Sequence, residues 1–318
     1  MTVDRARRQP TLRDVAHRAG VSIWTASNAF SNPHRVADAT RQRVLRAAVE
    51  LDYSGPHPSA RTLALGRSRL VALVSDVDAA RQIADPAGVL VAQGLTAACD
   101  RAGLSVVLAG ASCDLPVDGH VVFRGDSALA RPPAVVVDAQ DDAKPCVSAD
   151  SATGLRDLLD HLRERGHRRV AVLTSPALRG RTAAVERLAS GVVAAVHVSG
   201  DEAGWPTRQA GNTTARRILA PEDRPTAVVA LDDALALGVL EALHQMGLAA
   251  PRDVSVAGVG DIPGADLAGL TTVMVPYRPM GELAGEILAA RIEGRDAPAV
   301  PALPTGLVVR ASAGPPPA

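Results

Sequence analysis

The sequence predicts two architectures in one chain: a small all-α head in the helix-turn-helix arrangement, followed by a larger α/β body built on parallel sheets. Three observations carry this prediction. The 318 residues exceed one ordinary domain and suit two or three. Residues 11–51 repeat apolar positions at helical spacing and carry a turn glycine, Gly20. From Arg69 onward, short apolar runs alternate with amphipathic stretches, the pattern of strand–helix–strand units.

The head begins after a polar tail, residues 1–9. Thr11-Leu12-Arg13-Asp14 has the form of a capping box, in which Thr11 and Asp14 satisfy backbone donors at a helix start. Leu12, Val15, Ala16 and Ala19 then make one apolar face, and Gly20 stops the helix because glycine accepts a left-handed turn. Ser22 is a good N-cap for a second helix running to about Phe30. A loop from Ser31 to Arg35 leads to a third helix, about Asp38 to Leu51, that buries Val44, Ala48 and Leu51. Ala16, Gly20 and Ala26 supply a small residue at a helix crossing, a glycine at the turn and an apolar residue that closes the pair. That is the spacing of a helix-turn-helix unit.

In the body, strands are expected at Leu70–Val74, Leu104–Ala109, Val121–Phe123, Ala134–Val137, Val170–Leu173, Val192–Val198, Ala227–Ala230 and Val254–Ala257. Helices are expected at about Pro86–Ala102, Thr153–Arg165, Arg208–Leu219, Ala234–Met246 and Met280–Ile292. Their alternation implies doubly wound parallel sheets, and about 250 residues suit two lobes.

Composition narrows the function classes. Hydrophobic residues make up 47% and charged residues 21%, enough for a real core and too apolar for global disorder. Aromatics are 2%, so Ala, Val and Leu must fill that core. No run of eighteen apolar residues suggests a membrane span, and the arginine-bearing start lacks the apolar stretch of a secretory signal, so a cytosolic protein is expected. Cys99, Cys113 and Cys146 are expected to be reduced and mostly buried; their spacing suits neither a disulfide framework nor a structural zinc site. The formal net charge of zero conceals an asymmetry: residues 1–69 hold twelve arginines against five acids, net +7, and the remainder holds 22 basic against 29 acidic residues, net −7. A basic head on an acidic body is the distribution expected of a nucleic-acid reader. Enzymatic signatures are lacking. Gly258-x-Gly260-x-x-x-Gly264 misses the dinucleotide fingerprint by one residue, and the chain has no phosphate-binding Gly-x-x-x-x-Gly-Lys, no Gly-x-Ser-x-Gly elbow and no metal-ligand spacing among its eight histidines. No catalytic residue, metal or cofactor is expected.

The run Thr11-Leu-Arg-Asp-Val-Ala-His-Arg-Ala-Gly-Val-Ser22, with Thr25-Ala-Ser27, Asn32-Pro33, Thr40-Arg41-Gln-Arg-Val44, Tyr53, Pro56, Ala60-Arg61-Thr62-Leu63 and Gly66-Arg67-Ser68, resembles the head of the LacI/GalR family of transcriptional regulators. The resemblance implies a DNA-binding domain over residues 10–55, a hinge over 56–68, and a two-lobed, periplasmic-binding-protein-like domain for effector binding and dimerisation over 69–318. It places Thr11, Ser22, Ile23, Trp24, Thr25, Ser27, Asn28, His34, Arg35, Ala60 and Leu63 at the DNA. Hydroxyls there would contact phosphates, and the larger side chains would reach base edges. Asn28 stands where the family most often has arginine. Arginine reads guanine and asparagine fits adenine, so either the operator is shifted or Asn28 touches only backbone. Leu63 is implied to wedge between base pairs in the minor groove, or else to be a plain helix leucine docked on the body.

The body carries the resemblance through Gly154, His161-Leu162, Gly166-His-Arg-Arg-Val170, Asp232-Asp233-Ala-Leu-Ala-Leu-Gly238, Pro251-x-Asp253-Val-Ser-Val256, Thr271-Thr-Val273 and Leu307-Val-Val-Arg310-x-Ser312. Arg187, Asp232 and Tyr277 match positions that can line an effector cleft; roles in lobe packing or at the surface stand beside that reading. The departures are specific. Gly258-Val259-Gly260-Asp261 stands where the family usually has Gly-Phe-Asp-Asp, Ala87-Gly88 replaces an aromatic pair, the crossover between Ala109 and Val121 is short for a helix, and the segment around Arg187–Gly191 is compressed. Either the effector is not a typical sugar or effector control has decayed.

The expected function is a sequence-specific transcriptional regulator, a repressor acting as a homodimer or tetramer on a palindromic operator, controlled by a small-molecule effector such as a carbohydrate or related metabolite. The alternatives are a constitutive DNA-binding regulator, a cytosolic solute-binding protein, and an α/β enzyme with a DNA-binding appendage.

Overall fold

A computed structural model describes residues 10–31, 33–53, 67–111, 113–129, 131–139, 145–188, 193–202 and 204–317. The expected hinge positions Ala60 and Leu63 and the tail 1–9 lie outside the described residues. The chain divides into two compact units, Met1–Ser68 and Arg69–Ala318.

The head holds α1 (Leu12–Ala19), α2 (Ile23–Ser31) and α3 (Asp38–Glu50), with a 3-10 turn at Pro33–Arg35. Asp14 Oδ2 accepts from the Thr11 backbone N–H at 2.8 Å and from its hydroxyl at 2.6 Å, fixing the start of α1. Gly20 takes φ +63° and ends it, a conformation that costs other residues about 1–2 kcal/mol. The three helices bury Val15, Ala16, Ala19, Ala26, Ala29, Val44, Ala47 and Ala48. Leu51 is only half-buried and joins Phe30 and Tyr53 at the margin, where the two rings meet edge-on with centroids 5.9 Å apart. Small alanines at the crossings let a unit of this size close without large aromatics.

The body forms two lobes. In the first, β1 (Leu70–Val74), β2 (Ser105–Ala109), β3 (Gly119–Phe123), β4 (Ala134–Val137) and β5 (Cys146–Val147) make a parallel sheet in the order β2-β1-β3-β4-β5. Between β1 and β2 run α4 (Ala79–Ala84) and α5 (Pro86–Arg101). Alternate residues separate the two faces. Val71, Leu73, Val121, Phe123, Val135 and Val137 join the main core with Val91 and Leu95 of α5. Ala72, Val74, Val122, Ala134 and Val136 face a separate cluster that includes Cys113, Val117 and Cys146. No helix is described between β2 and β3, in keeping with the short crossover, so loop residues do the covering there and the expected double winding is incomplete in this lobe. Cys99 is buried, whereas Cys113 and Cys146 are half-buried, and none forms a disulfide.

The second lobe contains α6 (Ser151–Glu164), β6 (Val170–Thr174), α7 (Arg179–Leu188), β7 (Val193–Val198), α8 (Arg208–Leu219), β8 (Ala227–Ala230), α9 (Asp233–Gln245), β9 (Ser255–Gly260) and β10 (Thr271–Met274). The chain then returns to the first lobe as α10 (Tyr277–Ile292), which packs along α5, and finally re-enters the second sheet as β11 (Gly306–Val308). Strand order is β11-β10-β9-β8-β6-β7, parallel except for the β10/β11 pair. Two crossings between lobes are stitched together: Asp150 N–H donates to Leu303 O at 2.8 Å and Leu303 N–H to Ser148 O at 2.9 Å.

Candidate nucleic-acid interface and ligand cleft

In the head, Ser22 Oγ accepts from the Thr25 N–H at 3.0 Å and lies 2.8 Å from the Thr25 hydroxyl, so both side chains fix the first turn of α2. Ile23 and Trp24 project from that turn and are 46% and 67% exposed. Ser27 is half-buried, and Asn28 is 7% exposed, its amide donating to Trp24 O at 3.0 Å. The Asn28 amide thus bonds within its own helix. His34 and Arg35 are exposed on the 3-10 turn after α2. Thr11 is half-buried at the start of α1.

The body's candidate site forms between the lobes, at the carboxyl ends of strands, where open α/β sheets bind ligands. Arg124 follows β3 and Asp138 follows β4; both hold left-handed backbone, φ +49° and +55°. Such conformers are costly away from glycine and collect at functional sites. Asp85 and Asp232 are the N-caps of α5 and α9: one oxygen of each accepts from a helix N–H, Ala87 or Ala234, at 2.9 Å, which leaves the other directed to the centre. Arg181 on α7 and Tyr277 at the start of α10 complete the group.

These six side chains form one buried ionic hub. Arg124, with no exposed side-chain surface, donates to Asp138 Oδ2 at 2.7 Å and to the Tyr277 hydroxyl at 2.6 Å. Arg181 donates to the same Asp138 oxygen at 2.8 Å, to the Tyr277 hydroxyl at 2.7 Å and to Leu231 O at 2.9 Å. Arg124 Nη1 lies 3.0 Å from Asp232 Oδ2, but too obliquely for a hydrogen bond. Each lobe therefore offers the other one guanidinium and one carboxylate: Arg181 reaches Asp138, and Arg124 reaches Asp232. Arg124 Nη1, Arg181 Nε, Asp85 Oδ2 and Asp232 Oδ2 have no hydrogen-bond partner among the described residues.

Burial works against every charge here, and the partners decide the outcome. Asp138 is desolvated, yet Arg181 and Arg124 together hold its carboxyl below the usual range. Asp85 has only the distant Arg124, 3.8 Å away, so burial dominates and raises it. Burial also pushes the Tyr277 phenol up, keeping it neutral. Two cavities adjoin the hub. One of about 490 Å³ is lined by Asp138, Ser148, Ser151, Arg181 and Arg187. The other, of about 660 Å³, is lined by Asp76, Arg124, Asp126, Arg179 and Trp205. Trp205 packs edge-on against Phe123, with centroids 6.2 Å apart, across the same seam.

Of the three cleft residues expected from the sequence, Asp232 and Tyr277 meet in the hub. Arg187 does not: it is exposed, at the rim of the smaller cavity. Arg181 and Arg187 share α7 but stand six residues apart, about 240° around the helix, so one faces the hub and the other solvent. Sequence reasoning missed Arg124, Asp138, Asp85 and Arg181. A signal existed for the first two, each a charged residue directly after an apolar strand.

The altered segment after the late strand also has a physical account. Asp233, fully buried beside Asp232, accepts from the Thr272 hydroxyl at 2.6 Å and the Ile262 N–H at 3.1 Å. A side chain at Gly258 would collide with that carboxylate. Burial, with Asp232 adding to it, pushes Asp233 up to about 7. Asp261, next along, instead pairs with Arg310 at 2.7 Å.

Comparison with known proteins agrees with both units. The family described as bacterial regulatory proteins, lacI family, matches residues 11–56, and a periplasmic binding protein-like domain matches residues 159–313. An HTH-type transcriptional regulator of Mycobacterium tuberculosis is 32% identical over 98% of each chain. The HTH-type transcriptional repressor PurR of Klebsiella pneumoniae is 30% identical, covering 89% of this chain and 90% of its own. Among solved structures, the Lac repressor dimer bound to operator and the anti-inducer ONPF superposes with a TM-score of 0.78 at 25% identity, over 96% of this chain and 99% of that one. The regulator CelR in complex with cellobiose gives 0.64 at 28%, over 95% and 99%.

Proposed function

The chain belongs to the LacI family of bacterial regulatory proteins, and from that premise we propose that this DNA-binding transcriptional regulator is a homodimeric repressor whose operator affinity is set at the interlobe cleft. A single helix-turn-helix reads one half-site, so two copies on a palindrome follow from the geometry of the motif. Thr11, Ser22, Thr25, Ser27, His34 and Arg35 fix the head on phosphates, and Ile23 and Trp24 meet base edges. Ala60 and Leu63 of the hinge take the minor groove. The cleft binds and does not catalyse, and the protein works in the cytoplasm, where the operator DNA lies.

The observation that carries the reading is the hub. A small effector can bias the lobes only by binding two arrangements unequally. Here the lobes are joined by two reciprocal ion pairs that any entering ligand must replace or extend. The four atoms without hydrogen-bond partners, two donors and two acceptors, suit a ligand rich in hydroxyls. The same hub favours a second reading, constitutive DNA binding, because the chain's own side chains already fill the seam.

Selection of duplexes from a random library by the full chain tests the main proposal. A palindromic consensus with two equal half-sites supports it, and no enrichment over random competitor at low ionic strength overturns it. Melting temperature across a panel of sugars, polyols and nucleosides separates the two readings. A bound effector raises it by mass action, and constitutive binding leaves it unchanged.

A further inference from the structure

We infer that the head reads its operator chiefly through thymine 5-methyl groups, with Ile23 and Trp24 as the specificity-determining residues. The inference rests on the operator-binding reading above and goes beyond it by naming the base feature. The second helix of the motif presents its N-terminal residues to base edges in the major groove. In α2 those residues are two large apolar side chains, Ile23 and Trp24, both well exposed. The segment Ile23–Ser31 contains no Arg, Lys, Gln, Asp or Glu. Its single amide, Asn28, is 7% exposed and donates to Trp24 O. The hydroxyls of Ser22 and Thr25 face each other across the helix start.

The first turn therefore carries no planar fork for guanine and no free bidentate amide for adenine. Apolar surface in the major groove has one base-specific partner, the 5-methyl of thymine. The indole N–H of Trp24 adds a single donor, which suits thymine O4 beside that methyl. Arginines elsewhere in the head supply attraction to phosphate, which is blind to sequence. The consequence is a half-site whose contacted core is T·A-rich, with affinity that depends on methyl groups.

The test uses the duplex selected by the full chain, with each thymine replaced in turn by deoxyuridine, which removes the methyl and leaves pairing intact. We expect at least one position per half-site where this weakens binding about fourfold, and about fifteenfold when both half-sites are changed. Trp24→Ala and the double variant Ile23→Ala with Trp24→Ala should lose this sensitivity. Both residues lie outside the buried core of the head, so its helical circular dichroism and melting should survive in the variants and report a folded head. If a selected operator tolerates uracil at every position within twofold, or if Trp24→Ala keeps the wild-type sensitivity, the methyl reading is overturned while the regulator stands. If no operator is selected at all, it is the underlying function that fails.

Discussion

Replacing Arg181 with methionine removes the guanidinium that ties α7 in the second lobe to Asp138 and Tyr277 in the first. The wild-type contacts are 2.8 Å and 2.7 Å and largely buried. Removing one partner of a buried pair typically costs about 3–5 kcal/mol, because the carboxylate left behind is neither hydrated nor paired. Asp138 keeps Arg124 at 2.7 Å, which places the cost near the lower end, about 3 kcal/mol. For a unit of this size that lowers the melting temperature by about 6–12 °C. Asp138→Asn and the double variant complete a cycle that isolates the pair. We expect a coupling energy of about 2 kcal/mol, within the range for residues in one buried network. Urea titration of the four proteins measures it. A coupling below about 0.5 kcal/mol, with both single variants destabilised, would refute the reasoning, because the cost would then lie in packing and not in a cross-lobe ion pair.

Other outcomes follow from the same structure. Burial pushes Asp233 up to about 7 in the folded state, against about 4 when unfolded, so the folded state holds its proton more tightly; the stability this group contributes is fully present below about pH 4 and is lost as pH rises through about 7. Asp233→Asn mimics the protonated acid, and its melting temperature should decline less between pH 5 and 8 than that of wild type, the remaining slope coming from groups such as Asp85. Gly258→Ala drives a methyl into the Asp233 carboxylate and should cost about 1–3 kcal/mol in urea titration, less in the Asp233→Ala background, where the obstacle is gone. Ser22→Ala removes the cap of α2, costs the head about 1 kcal/mol and should weaken operator binding in a gel-shift assay without altering melting of the body.

Most of the fold was legible because it rests on local patterning. The capping box, Gly20 and the apolar periods placed α1, α2 and α3 within a residue or two, and the strand runs placed most of both sheets. The helix Arg179–Leu188 escaped because its apolar face is narrow, with Ala184 and Val185 beneath a polar stretch. The short strands β5 and β11 carry too few residues for any period to declare itself. The cleft was half legible. Asp232 and Tyr277 were named by resemblance and lie in the hub, whereas Arg124 and Asp138 owe their place there to backbone at strand ends, where a left-handed residue turns a charged side chain inward. Periodicity cannot register that turn. Asn28 is a further case: residue type alone does not show that its amide donates to the carbonyl of Trp24, four residues back.

The return of the chain to the first lobe has a consequence for synthesis. The sheet of β1–β5 is complete by Val147, yet the helix that packs along α5 is Tyr277–Ile292, some 130 residues further on. While a ribosome is still making the second lobe, Val91, Leu95 and the strand face beneath them wait without their covering helix. The second lobe can build most of its sheet as it emerges; the first must hold out until nearly the whole polypeptide has been delivered. A nascent chain stalled before residue 277 should thus be open to proteases in its earlier half and resistant in its later one.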